Sequence, residues 1–153
     1  MTNEEQVALL KQGVNNWNQW REENPEVKPS LIRADLRNAN LRGVNFSEAD
    51  LISTDLSEAN LKEADLHKAD LYKAILKEAN FYKADLSGSI LTGANLSSAD
   101  LTRANFTQAN LSKANLSRAN LSEANLMEAK LDDANLKEAV LVGATMPDGT
   151  IHD

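Results

Sequence analysis

A chain of 153 residues with 42% apolar residues, 5% aromatics and no cysteine fits one domain and excludes disulfides and thiolate chemistry. Its formal charge of -7 disfavours a cationic groove for phosphates, so direct nucleic-acid binding is not expected. No stretch approaches the roughly 20 apolar residues of a membrane span, and residues 1–12 lack the cationic start and apolar run of a signal peptide. The expectation is a cytoplasmic protein with no membrane contact.

Residues 3–22 carry a helical period. Val7, Leu10, Val14 and Trp17 recur at spacings of three and four, with Leu9 and Trp20 at the border of the same face. Thr2 or Asn3 suits the N-cap, and Glu4 and Glu5 suit the positive end of the helix dipole. Gly13 falls inside the apolar arc, where a missing side chain admits another backbone. Both tryptophans lie here, which predicts a single amphipathic helix covering an open end of the remaining fold. Docking on a partner or a membrane is the alternative; the polar face, with Asn15, Asn16 and Gln19, has few cations, which disfavours the membrane. Pro25 ends the helix and Pro29 keeps the connector extended, so residues 1–30 form a cap and connector.

From Leu31 to Met146 the chain repeats every five residues. Leu or Phe recurs at 36, 41, 46 and onward to 141, and the residue two before it is Ala except at units such as Val44, Thr54 and Ser89. Five fits neither the 3.6 period of a helix nor the 2.0 of a strand. It fits a chain that turns a corner every fifth residue, with the large residue and the small one facing inward. If four such corners close one coil, a coil holds 20 residues. At a strand spacing of 4.8 Å, just under six coils make a rod about 28 Å long. One inner ladder is then Leu36, Leu56, Leu76, Leu96, Leu116 and Leu136, each leucine contributing roughly 1.5–3 kcal/mol before ordering entropy. Just before most centres stands Asp or Asn, as at Asp35, Asn40, Asn60, Asp65 and Asn115, a turn residue that bonds nearby backbone. Stacked carboxylates such as Asp35 with Asp55 and Asp50 with Asp70 arise from the repeat itself and do not signal acid/base catalysis. Residues 147–153 begin with the turn Pro147-Asp148-Gly149, after which Ile151 is expected to fold over Leu131, Leu136, Leu141 and Met146. Such a thin cover admits a weak end-to-end dimer through the C-terminal coil.

The A(D/N)LXX units resemble those of the pentapeptide-repeat family, and the opening helix and short tail are similar to short cyanobacterial members. The resemblance implies an all-β solenoid, a right-handed quadrilateral β-helix, here of about six coils with an N-terminal helical cap. The family also includes proteins that bind type II topoisomerases by imitating duplex DNA. Those commonly dimerise through a C-terminal segment, which is not helical in this chain.

Because the inward positions serve folding, function is sought where outward positions break the pattern. Ile75 and Ile90 replace Asp or Asn, Tyr72 stacks over Ile52, Tyr82 lies on the next side but one, and Gly88, Ser89 and Gly93 loosen the same region. Ile52, Tyr72, Ile75, Tyr82 and Ile90 are therefore a candidate protein-binding patch, unless the connector packs across it. Glu48, Asp65, Asp85 and Glu128 form a candidate acidic stripe, opposed mainly by Lys68. His67 and His152 lack a second His or Cys at metal-ligand spacing, and serines such as Ser97, Ser112, Ser117 and Ser122 have no nearby His. No phosphate loop or dinucleotide fingerprint is present. The expected role is a non-catalytic interaction or scaffold module without cofactor, catalytic residue or metal, binding an unidentified protein. A DNA-mimicking topoisomerase modulator is the alternative, and an enzyme accessory subunit a third reading.

Overall fold

The computed structural model describes all 153 residues. Two helices open the chain, α1 over Asn3–Lys11 and α2 over Val14–Glu23. Thr2 caps α1 in a reciprocal box: its hydroxyl accepts the Glu5 N–H at 3.2 Å, and its own N–H donates to Glu5 Oε2 at 2.7 Å. The single helix expected over residues 3–22 is thus broken. Gly13 has φ 127° and ψ 158°, a conformation outside the helix and open chiefly to glycine. A Cβ built there meets nothing within 4 Å, so the glycine answers the backbone angle and not a close neighbour. Leu10 and Trp17 are buried against the first coil, while Val7, Leu9, Val14 and Trp20 pack half-buried beside them.

From Ser30 onward each unit contributes one bridging residue and one tight turn. The bridges join residues 20 apart in parallel and make four walls. The first runs Ser30, Asp50, Asp70, Ile90, Asn110, Lys130; the second begins at Asp35, the third at Asn40 and the fourth at Asn45. The bridging residue uses both backbone groups, as when Asp55 N–H donates to Ala34 O at 3.0 Å and Asp55 O accepts from Leu36 N–H at 2.8 Å. A corner closes when the Ala N–H reaches back to the centre's carbonyl, as from Ala34 to Leu31 at 3.0 Å. The third residue of that turn must have positive φ. Nineteen non-glycine residues accept it, with φ between 54° and 61°. Gly88 and Gly93 occupy this same corner slot at φ 65° and 69° and continue the coil regularly, so they do not loosen it.

Leu and Phe centres with their small neighbours fill the rod, and Phe46, Phe81 and Phe106 are fully buried. The hydroxyls that replace Ala methyls are satisfied: Thr54 Oγ1 donates to Leu31 O at 2.7 Å and Ser89 Oγ to Leu86 O at 2.6 Å. Outward Asp and Asn accept the N–H two residues on, for example Ser57 N–H to Asp55 Oδ1 at 3.0 Å.

The two ends are closed unequally. On the first wall Gln6 Oε1 accepts the Ser30 N–H at 2.7 Å, and Asn3 Nδ2 donates to Ser30 O at 2.9 Å. On the fourth, Asn18 Oδ1 accepts the Asn45 N–H at 2.8 Å, while Trp17 Nε1 and Arg21 Nη1 both donate to Asn45 O, at 2.8 and 3.0 Å. Each helix thereby seals one edge. At the other end Pro147–Gly149 turns the tail back antiparallel onto the fourth wall, where Thr145 pairs with Ile151. Ile151 is 62% exposed, and Leu131, Leu136, Leu141 and Met146 remain half-buried, so the expected fold of Ile151 over that layer does not occur.

Candidate interaction surface

The first wall carries the apolar stack. Ile32, Ile52 and Tyr72 occupy the same slot one coil apart, adjacent through Arg33 N–H to Ile52 O at 3.0 Å and Ser53 N–H to Tyr72 O at 2.9 Å. Ile90 bridges Asp70 on the same wall. Tyr72 is 39% and Ile90 42% exposed, so the connector does not cover them. Lys73 Nζ stands 5.3 Å from the Tyr72 ring centroid, within cation–π range. Ile75 bridges Asp55 and Asn95 on the second wall, just around the corner, and is also exposed. Tyr82 sits on the third wall, opposite, where Arg103 Nη1 lies 3.5 Å from its hydroxyl. The fold thus gathers Ile52, Tyr72 and Ile90, sets Ile75 beside them and leaves Tyr82 apart. Ile32 joins the stack without having stood out in the sequence; its register, 20 residues before Ile52, is the signal that finds it.

Glu48, Asp65, Asp85 and Glu128 do share the fourth wall and its corner. Arg21, buried at the head of this wall, was not expected. Its Nη2 donates to Ser47 O at 3.0 Å and its Nε has no partner. Burial pulls the Arg21 pKa down, and the nearby carboxylates of Asp65 and Glu48 oppose that shift. Between the connector and this wall runs a groove of about 500 Å³ lined in part by Arg21, Lys28, Glu48, His67 and Lys68.

Asp65, His67 and Asp85 bring one donor atom each within 4.8 Å of one another, with His67 Nδ1 2.6 Å from Asp65 Oδ1. These are the residues that could hold a divalent cation, though partly exposed groups, two of which already bond each other, do not by themselves make a metal centre. On the second wall Arg37 Nη2 pairs with Asp35 Oδ2 at 2.7 Å and its Nε stands 4.0 Å from Asp55 Oδ2, which relieves the repulsion expected between the stacked carboxylates. The hydrogen bonds from Arg37 hold the Asp35 pKa down to about 2. Ser97, Ser117 and Asn115 line a shallow polar depression with Lys77 and Arg118, and neither histidine is among its lining residues.

No helix is long and apolar enough to cross a membrane. The family model for pentapeptide repeats matches eight copies, over residues 30–67, 54–93, 79–118, 89–126 and 119–148. Among solved structures, the chain is similar to the pentapeptide repeat protein Rfr23 of the cyanobacterium Cyanothece 51142, at 30% identity over 89% of this chain and 97% of that one, with a TM-score of 0.59. A pentapeptide repeat protein of Nostoc Pcc 7120 matches at 36% identity over 64% of this chain and 78% of that one, with a TM-score of 0.56. One from the Arabidopsis thaliana thylakoid lumen matches at 30% identity over 77% and 72%, with a TM-score of 0.52. No curated protein matches the chain. Tight corners every fifth residue, parallel bridges 20 apart and a family match spanning residues 30–148 lead to one conclusion: the chain belongs to the pentapeptide-repeat family, whose members form right-handed quadrilateral β-helices.

Proposed function

We propose that this protein is a rigid, non-catalytic interaction module that presents its first wall to a partner protein in the cytoplasm. The observation that carries this reading is the stack of Ile32, half-buried Ile52 and Tyr72, with Ile90 beside it on the same wall, of which Ile32, Tyr72 and Ile90 are exposed. Contiguous apolar side chains on a stiff surface bury area on contact without first being ordered, and a central tyrosine is a frequent anchor of such contacts. The DNA-mimic alternative draws less support. Its fourth wall is interrupted by Lys68, headed by Arg21 and carries neutral Asn105 and Asn125 in the bridging slots.

The test is affinity capture from a cytoplasmic extract with three baits: wild type, a Tyr72→Ala/Ile90→Asp double variant, and Tyr82→Ala as a control on the opposite wall. A protein retained by wild type and Tyr82→Ala, and weakened at least about tenfold by the double variant, supports the reading, since a hot-spot tyrosine is worth about 2 kcal/mol. Equal capture by all three baits, with melting curves unchanged, would refute it.

A further inference from the structure

We propose that the groove between the connector and the fourth wall is a binding site for a small phosphate-bearing anion. Its floor holds the one buried charge of the molecule. Arg21 is 9% exposed, and no carboxylate stands within 4.0 Å of its guanidinium. Its Nη1 and Nη2 donate to neutral oxygens, Asn45 O and Ser47 O, each at 3.0 Å, and its Nε–H has no acceptor. A buried cation is ordinarily met by an opposite charge. Here the guanidinium is held in place because it seals the head of the fourth wall, and its charge is left uncompensated. Burial pulls its pKa down despite Asp65 and Glu48, so those carboxylates do not neutralise it in full.

The groove of about 500 Å³ is of the size that holds small molecules. Two further cations reach it from separate parts of the chain, Lys28 from the connector and Lys68 from the corner of the fourth wall. Both side chains are exposed, and neither has a carboxylate within 4.0 Å. The connector also brings the N–H groups of Glu26 and Lys28, which donate to nothing within the chain. Glu26 and Glu48 line the groove as well, but both are exposed and free to turn toward solvent. The third nearby carboxylate, Asp65, is engaged by His67 at 2.6 Å. Charge is therefore mixed at the rim and positive at the floor.

The donor set selects among anions. A carboxylate is gripped best by a guanidinium fork, two parallel N–H groups in one plane. The Arg21 fork is already engaged by Asn45 and Ser47, so that grip is closed. What remains are ammonium point charges and single N–H groups arriving from the connector and from the wall. These suit a tetrahedral phosphate, whose oxygens accept in several directions. The charge of -7 disfavours a long cationic track for a nucleic-acid backbone, but it is compatible with one local positive floor.

NMR titration of the isotope-labelled full chain with sodium phosphate and, separately, glycerol phosphate tests this, at neutral pH and with ionic strength held constant by chloride. The Arg21 Nε–H and the Lys28 and Ser47 amides report binding. Saturable shifts are expected, with a dissociation constant of about 1 mM or tighter for at least one probe. The tighter of the two shows whether the groove takes the free ion or a monoester. Lys28→Gln/Lys68→Gln is expected to weaken binding at least about tenfold, whereas Lys113→Gln, on a corner away from the groove, leaves it unchanged. Arg21 is kept in every variant, and melting curves check the fold; if the double variant melts early, the two single variants carry the comparison. Shifts that do not saturate with either probe, or that chloride alone reproduces, would overturn the proposal. So would acetate binding as tightly as either phosphate, or an affinity indifferent to the lysine substitutions.

Discussion

Trp17→Ala is the sharpest probe of how the rod is started. Trp17 is fully buried, meets the Phe46 ring edge-on with centroids 5.7 Å apart, and touches Trp20 at 5.1 Å. Truncating a buried tryptophan costs about 3–5 kcal/mol, a large part of the 5–15 kcal/mol that holds a typical domain. The lost indole N–H adds little, because Arg21 still donates to Asn45 O. Trp17→Phe, which keeps a ring against Phe46, is therefore expected to cost only about 1–2 kcal/mol, mostly the lost volume. Urea unfolding followed by circular dichroism gives the magnitudes, and the fluorescence of Trp20, the remaining tryptophan, reports the cap itself. Amide exchange gives the location. In Trp17→Ala the Asn45 amide, held by Asn18 on α2, should lose protection, while the Ser30 amide, held by Gln6 on α1, keeps more of it. If the urea midpoint and Asn45 exchange are both unchanged, the helices are passengers and the edge-sealing account of this end is wrong.

Leu76→Ala, in the middle of a ladder, is expected to cost about 3–5 kcal/mol, and Leu136→Ala, on the half-open last layer, about 1 kcal/mol; equal shifts in paired urea titrations would show that slot identity and not burial sets the cost. Asp35 has a lowered pKa in the folded chain, so its contribution is complete above its ordinary range near 3.8 and is lost as pH falls toward about 2. A carboxyl NMR titration should place its midpoint near that value, and Arg37→Ala should raise it toward the ordinary one; an unmoved midpoint would remove Arg37 as the cause. A gyrase supercoiling assay should show no inhibition at stoichiometric protein, and inhibition abolished by Asp65→Lys would favour the DNA-mimic reading.

The rod was legible because each inward position repeats. A five-residue beat of Leu and Ala asks for a corner every fifth residue; four corners to the coil is what the resemblance to the pentapeptide-repeat family implies, and the bridges at intervals of 20 agree with it. The N-terminal cap was only half legible. Val7, Leu10, Val14 and Trp17 face the rod, but their spacing runs straight across Gly13, whose backbone angle breaks the helix. The polar residues carry no such signal. Nothing in the sequence marks Gln6, Asn18 and Arg21, yet they turn onto the rod. The reason is physical: an open coil exposes rows of backbone donors and acceptors as well as leucines, and here amide, indole and guanidinium groups meet them.

The candidate surface shows the complementary limit. Tyr72 and Tyr82 are ten residues apart, which is half a coil, so neighbours in the sequence become opposite walls. Ile32 and Tyr72, 40 residues apart, become members of one stack. In this fold, proximity along the chain says little about shared function, and position modulo 20 says much more. The outward slots on either side of each centre are partly exposed, so their side chains can change with little disturbance of the core. Substitutions at Tyr72 and Ile90 should therefore alter partner affinity by more than they alter stability, whereas Leu71 and Leu91 one residue away, both fully buried, should do the reverse. That contrast is the property an interaction module built on a repeat must have, and its absence would mean that the apolar stack belongs to the fold.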